Sequence, residues 1–210
     1  MGNTRKKILD KARALFNELG YSQVTIRMIA TDLEMSSGNL NYHFRKREDI
    51  LEALYVEMVE VFDNRVAGLE EQKLSLAHMK SEVQTSMERM IAYRFFWTDL
   101  YNLLRANKKI RAHFEAVRKE RLMGYQYVFN FFINQNLMKP ASFEKEYQFL
   151  AERMMGYSNT WLYASGLYMH EKEETELVPE ASFQLLSMMY PYLKASGKHE
   201  FRGLFPEQAG

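Results

Sequence analysis

With 210 residues and no cysteine, the chain has room for one large domain or for a small domain joined to a medium one, and it holds neither disulfides nor a thiolate metal site. Its hydrophobic content of 47% is that of a globular protein, and only four prolines and ten glycines leave room for long helices. Nine of the 28 Lys/Arg but four of the 27 Asp/Glu lie in residues 1–47, a local balance of +5 against −4 over the remainder, which suits a polyanion-binding head on a mildly acidic body.

In chain order, Met1-Gly2-Asn3-Thr4-Arg5-Lys6-Lys7 is basic, but no apolar run follows it, so it does not read as a secretory signal. Ile8, Leu9, Ala12, Leu15, Phe16 and Leu19 recur at steps of three and four. They predict a helix over 4–19, with Thr4 as its N-cap and Gly20 as the left-handed residue past its end. Thr25 caps a short helix over 25–33 with Ile26, Ile29, Ala30 and Leu33 inward. After a break at Met35-Ser36-Ser37-Gly38, a third helix over 37–44 carries Leu40 and Phe44. Ile50, Leu51, Leu54, Tyr55, Met58, Val59 and Phe62 then mark a long amphipathic helix that joins the two parts.

Further helices are predicted over 75–93, 95–106, 108–136, 142–169 and 179–195, and no alternating β-branched run suggests a strand. Asn136 to Pro140 reads as a stop and a fresh start, Pro179 as a first-turn proline, and Pro191 as a residue that kinks or shortens the last helix. The longest stretches without Asp, Glu, Lys or Arg, 122–138 and 154–170, are 17 residues each. A membrane span needs about 20 mostly apolar residues. The stretches therefore read as buried helices of a cytoplasmic protein with no membrane partner.

The three short N-terminal helices match a helix-turn-helix with a supporting first helix. The third must bury one side and offer polar residues to a major groove. Leu40 and Phe44 turned inward leave Ser37, Asn39, Asn41, Tyr42 and His43 for DNA, Asn being able to pair bidentately with adenine and Tyr or Ser to reach phosphates. For Asn39, Asn41 and His43, plain solvent exposure is the alternative. Thr25 and Arg27 start the second helix where a phosphate would sit. Arg45, Lys46 and Arg47 flank the groove as sequence-independent charge.

Ile8-Leu9-Asp10-Lys11-Ala12 through Leu15-Phe16, Gly20-Tyr21, Val24-Thr25-Ile26-Arg27-Met28-Ile29-Ala30 and the run from Ser36 to Leu51 together resemble the TetR/AcrR family. The chain departs from that pattern at Glu34, where the family usually has Gly; at Asn41, where it often has Tyr; and at Arg47, where it mostly has Lys. The resemblance implies an all-α fold with a DNA-binding domain over 1–47 and a helical ligand-sensing and dimerisation domain over 48–210. It also implies a homodimer on a near-palindromic operator, with a ligand pocket that controls the spacing of the heads. The expected activity is that of a repressor released by a small lipophilic or aromatic molecule, the alternative being control by a protein partner.

Met and aromatic residues crowd the second domain, either as core and dimer packing or as a pocket, and Trp97, Tyr101, Tyr125, Phe129 and Trp161 are the pocket candidates. The last two long helices, 142–169 and 179–195, would form the dimer interface, where Gly156, Ser158, Ser165 and Gly166 permit close approach; packing inside one subunit is the alternative. The run Glu171 to Glu176 reads as a solvated loop between them. Histidines 43, 78, 113, 170 and 199 form no ligand-spaced cluster, and no nucleophile elbow, P-loop or dinucleotide fingerprint is present. No enzyme activity, catalytic residue, cofactor or metal is therefore expected.

Overall fold

The computed structural model describes residues 2–66, 74–169 and 173–206, with side chains except at 2–3, 61–66 and 174–175. These residues are helical, in eleven α-helices: α1 Gly2–Leu19, α2 Ile26–Asp32, α3 Ser37–His43, α4 Arg47–Val66, α5 Leu76–Ala92, α6 Arg94–Thr98, α7 Leu100–Ala106, α8 Lys108–Asn134, α9 Glu146–Tyr168, α10 Glu174–Ser187 and α11 Ala195–Leu204. A 3-10 turn spans Tyr190–Tyr192, and an isolated antiparallel bridge pairs Met138 with Leu193. No helix among the described residues is long and apolar enough to cross a membrane.

The described residues divide into two compact units. The first holds those up to 66 together with Ala92–Ala112, and the second holds 74–91 with His113 onward. α5 and α8 thus contribute residues to both. Contacts group residues by packing, so α4 to residue 66 joins the first unit, whereas the sequence reading drew its functional boundary after residue 47.

The first unit closes on the side chains that the helical periodicity turned inward. Ile8, Ala12, Phe16, Val24, Ile29, Leu40 and Ile50 are fully buried. The Phe16 ring meets Tyr21 edge-on at 5.1 Å and Phe95 at 5.3 Å. The stripe ends sooner than the sequence suggests, because Leu19 is exposed and Leu15 only half-buried. Gly20 has φ 81° and its N–H closes α1 on Phe16 O at 2.9 Å, the expected left-handed stop. Thr4 lies inside α1 and caps nothing, since that helix already runs from Gly2.

In the second unit, Phe129, Phe132, Leu150, Met154 and Trp161 form the centre, and the Trp161 Nε1 points at Met90 Sδ, 3.4 Å away. Phe183, Phe201 and Phe205 make a smaller aromatic cluster with centroids 4.9–6.0 Å apart. Several predicted elements are corrected. The 95–106 helix is broken at Asp99 into α6 and α7, and α9 begins at Glu146 after a left-handed Lys145 with φ 68°. Pro179 is the sixth residue of α10 instead of a first-turn proline, because the chain becomes helical at Glu174, within the expected acidic loop. Of that loop, Glu171 and Lys172 lie outside the described residues, as does His170. Pro191 does shorten the last long helix, which stops at Ser187, and α11 then follows where no helix was predicted.

Candidate functional site

α2 and α3 are joined by a tight, hydrogen-bonded turn. Thr25 Oγ1 accepts from the Met28 N–H at 3.2 Å, and Ser36 Oγ accepts from the Asn39 N–H at 3.2 Å, so both helices carry side-chain N-caps. At the end of α2 the Glu34 N–H donates to Thr31 O and the Met35 N–H to Ala30 O, a Schellman arrangement with Glu34 at φ 53°. Lys11 pairs with Asp32 at 2.7 Å and Arg5 lies over the Phe44 ring at 4.9 Å, which tie α1 to the turn and to the end of α3.

On this frame α3 buries Leu40 and Phe44 and presents Ser37, Asn39, Asn41 and Tyr42 to the outside, Tyr42 being 74% exposed. Their side-chain polar groups form no hydrogen bond among the described residues, so each keeps its full complement of donors and acceptors. His43 is half-buried with its ring edge-on to Tyr42 at 5.3 Å. Arg27 and Lys46 are exposed, and the capped Thr25 hydroxyl still has its own hydrogen to donate. Of the predicted set, all but His43 and Arg47 are exposed.

Arg47 is held by backbone carbonyls. Its Nη1 donates to the carbonyls of Tyr21 (3.0 Å), Ser22 (3.1 Å) and Val24 (2.8 Å), and its guanidinium stacks on the Tyr21 ring at 4.2 Å. It therefore clamps the α1–α2 turn, a structural role that the sequence reading did not assign to it. Burial pushes the Tyr21 phenol above its ordinary pKa, partly opposed by that cation.

Sequence reading also missed how α1 is held. Asn17 Nδ2 donates to Ala92 O at 3.0 Å, and its Oδ1 accepts from the Phe95 N–H at 3.2 Å. Arg13 Nη1 donates to Glu57 (3.3 Å) and to the Tyr93 hydroxyl (3.2 Å), which itself donates to Glu57 at 2.9 Å. Polar residues at the rim of an apolar stripe are the only trace of this in the sequence.

The five pocket candidates are not gathered within one unit. Trp97 and Tyr101 belong to the first, Trp97 buried and Tyr101 74% exposed. Tyr125, Phe129 and Trp161 belong to the second. Phe129 lines an open groove of 370 Å³, together with Gln126, Phe143, Glu144, Lys145, Glu146 and Tyr147. Among the described residues no three His, Asp or Glu are grouped to hold a metal ion.

Residues 57–201 match the family model of a bacterial transcriptional repressor, TetR, and residues 8–54 match that of the bacterial regulatory proteins of the tetR family. The HTH-type transcriptional repressor Rv1474c of Mycobacterium tuberculosis (strain ATCC 25618 / H37Rv) is 39% identical over 56 residues, 27% of this chain and 30% of that relative. The match therefore spans under a third of that relative's length. A TetR-family transcriptional regulator from Marinobacter aquaeolei VT8 is similar over 96% of each chain, with a TM-score of 0.86 and 25% identity. SmeT, the repressor of the Stenotrophomonas maltophilia multidrug efflux pump SmeDEF, shares the fold at a TM-score of 0.65 and 17% identity, over 98% of this chain and 95% of its own.

Proposed function

The chain belongs to the TetR family of bacterial transcriptional regulators, and from that premise we propose that it is a cytoplasmic one-component repressor, its 1–47 domain binding operator DNA and its 48–210 domain sensing a small lipophilic ligand and dimerising. The observation that carries this is the split face of α3. Leu40 and Phe44 are buried, whereas Ser37, Asn39, Asn41 and Tyr42 are exposed with unspent hydrogen-bonding groups.

In this reading Asn39 and Asn41 address base edges, Ser37, Tyr42 and His43 lie along the groove wall, and Thr25, Arg27 and Lys46 take phosphates. Two copies place their α3 helices in successive major grooves about 34–36 Å apart on a near-palindromic site, held together through α9 and α10. A ligand held near Tyr125, Phe129 and Trp161 favours another spacing of the heads. A hundredfold weakening needs a differential affinity of ~3 kcal/mol for the non-binding state. The solved SmeT–triclosan complex, 15% identical with a TM-score of 0.61, supports the presence of a small-molecule site in a fold of this kind.

The test is a titration of the purified protein against the DNA upstream of its own gene, beside random DNA, at several salt concentrations. We expect cognate binding tighter by ~10³ or more. Asn41→Ala should lower that preference, whereas Lys46→Ala should weaken binding to both DNAs and reduce the salt slope by about one. Equal losses on both DNAs for Asn41→Ala would remove Asn41 from base reading, and equal wild-type binding to both would remove the repressor assignment at this operator.

A further inference from the structure

Among the described residues, the second unit holds a cation that is hydrogen-bonded to neutral acceptors and in no ion pair. Arg121 sits half-buried on α8, its Nη1 donating to Asn159 Oδ1 and its Nη2 to Ser158 Oγ, both at 2.8 Å. Both acceptors are neutral. Tyr125, one turn along the same face, has its phenol pushed up by burial and partly drawn back by the Arg121 charge and by hydrogen bonds to Arg121 and Ser158.

No carboxylate completes this group among the described residues. The stretch of α9 that supplies the acceptors, Met154 to Met169, contains no Asp or Glu. The nearest acid before it, Glu152, is already 4.0 Å from Arg118 and accepts from Gln148 at 3.1 Å. Neutral acceptors satisfy hydrogen bonds but leave the charge of a partly desolvated guanidinium uncompensated, and such a charge is ordinarily paired. Asn159, Ser158 and the Tyr125 hydroxyl take three of its five N–H donors, which leaves two on a planar group suited to a carboxylate or sulfonate.

A row of aromatic side chains runs from it to the groove that Phe129 lines. Residues 121, 125 and 129 lie at steps of four on α8, a span of about 12 Å. The Tyr125 and Phe129 ring centroids are 6.0 Å apart, those of Phe129 and Tyr147 are 5.3 Å apart, and Phe129 and Tyr147 line the 370 Å³ groove.

We propose that the effector is a lipophilic anion whose single negative group is bound by Arg121, beside Ser158 and Asn159, and whose apolar body lies along Tyr125 and Phe129. This rests on the ligand-sensing reading of the second unit and names the class of ligand.

Two fluorescent probes with one aromatic skeleton test it: 1-anilinonaphthalene-8-sulfonate, an anion, and N-phenyl-1-naphthylamine, which lacks the sulfonate. Each is titrated into the full-length wild type, Arg121→Gln and Arg121→Lys, with circular dichroism verifying that both variants fold. The wild type should bind the sulfonate at least about tenfold more tightly than the amine. Arg121→Gln should abolish that preference while leaving amine affinity unchanged, and Arg121→Lys should keep part of it. If the wild type binds the two alike, or Arg121→Gln keeps the preference, Arg121 only clamps α8 to α9 and the anion proposal falls while ligand sensing stands. If neither probe binds, both fall.

Discussion

Glu34 holds φ 53° at the left-handed position that ends α2, where a β-carbon crowds the following carbonyl and glycine does not. The chain tolerates this because the two Schellman hydrogen bonds and the packing of α2 and α3 fix the turn. Glu34→Gly should therefore raise stability by about 1 kcal/mol, seen as an increase of about 2–4 °C in Tm. A lower Tm would mean that the carboxylate makes a compensating interaction. At this scale much was legible in the sequence: Thr25 and Gly20 are local signals, read from their own neighbours. Arg47 was not, because the carbonyls it clamps lie 23 to 26 residues away and nothing in its immediate surroundings shows which way the side chain turns.

Helix periodicity survives at the scale of elements, but helix ends depend on tertiary contacts. The α6–α7 break at Asp99 and the start of α10 ahead of Pro179 have no distinct local signal. The start of α8 has one: Asn107 Oδ1 accepts from the Lys109 and Ile110 N–H groups at 3.1 and 3.0 Å, while its Nδ2 donates to Glu52 at 2.9 Å and holds that carboxyl below its usual range. α11 was missed because its docking is a matter of space as well as hydrophobicity. A β-carbon on Gly197 would stand 2.5 Å from Leu137 O, the carbonyl that also accepts from the Lys194 N–H at 2.9 Å. Gly197→Ala sets a gain of about 1 kcal/mol in helix propensity against a backbone clash, and overpacking typically costs about 1–3 kcal/mol. The clash wins, because a backbone carbonyl cannot rotate aside as a side chain can. Thermal unfolding should show a loss of stability; an increase would mean that α11 shifts freely on its seat.

For the whole molecule, a head that presents one short helix reads few base pairs, so high selectivity requires two heads on one site. The proposed pairing surface has a specific character. On α9, Phe149, Gly156, Tyr163 and Leu167 recur at steps of seven and four, the three large side chains 44–53% exposed, and a β-carbon at Gly156 would meet nothing within 4 Å. Gly156→Arg should therefore leave the subunit intact, since it replaces a poor helix former by a good one in open space. If α9 seats a second copy, the same substitution puts a bulky, strongly solvated cation in the middle of that seat. Sedimentation should then report a monomer where the wild type is a dimer, with unchanged helicity, and affinity for the palindromic site should fall by a factor on the order of 10³ toward that for random DNA. A variant that remains dimeric would move the interface off this face of α9. A monomer that keeps full operator affinity would mean that one head suffices, against the two-groove geometry on which ligand control of head spacing depends.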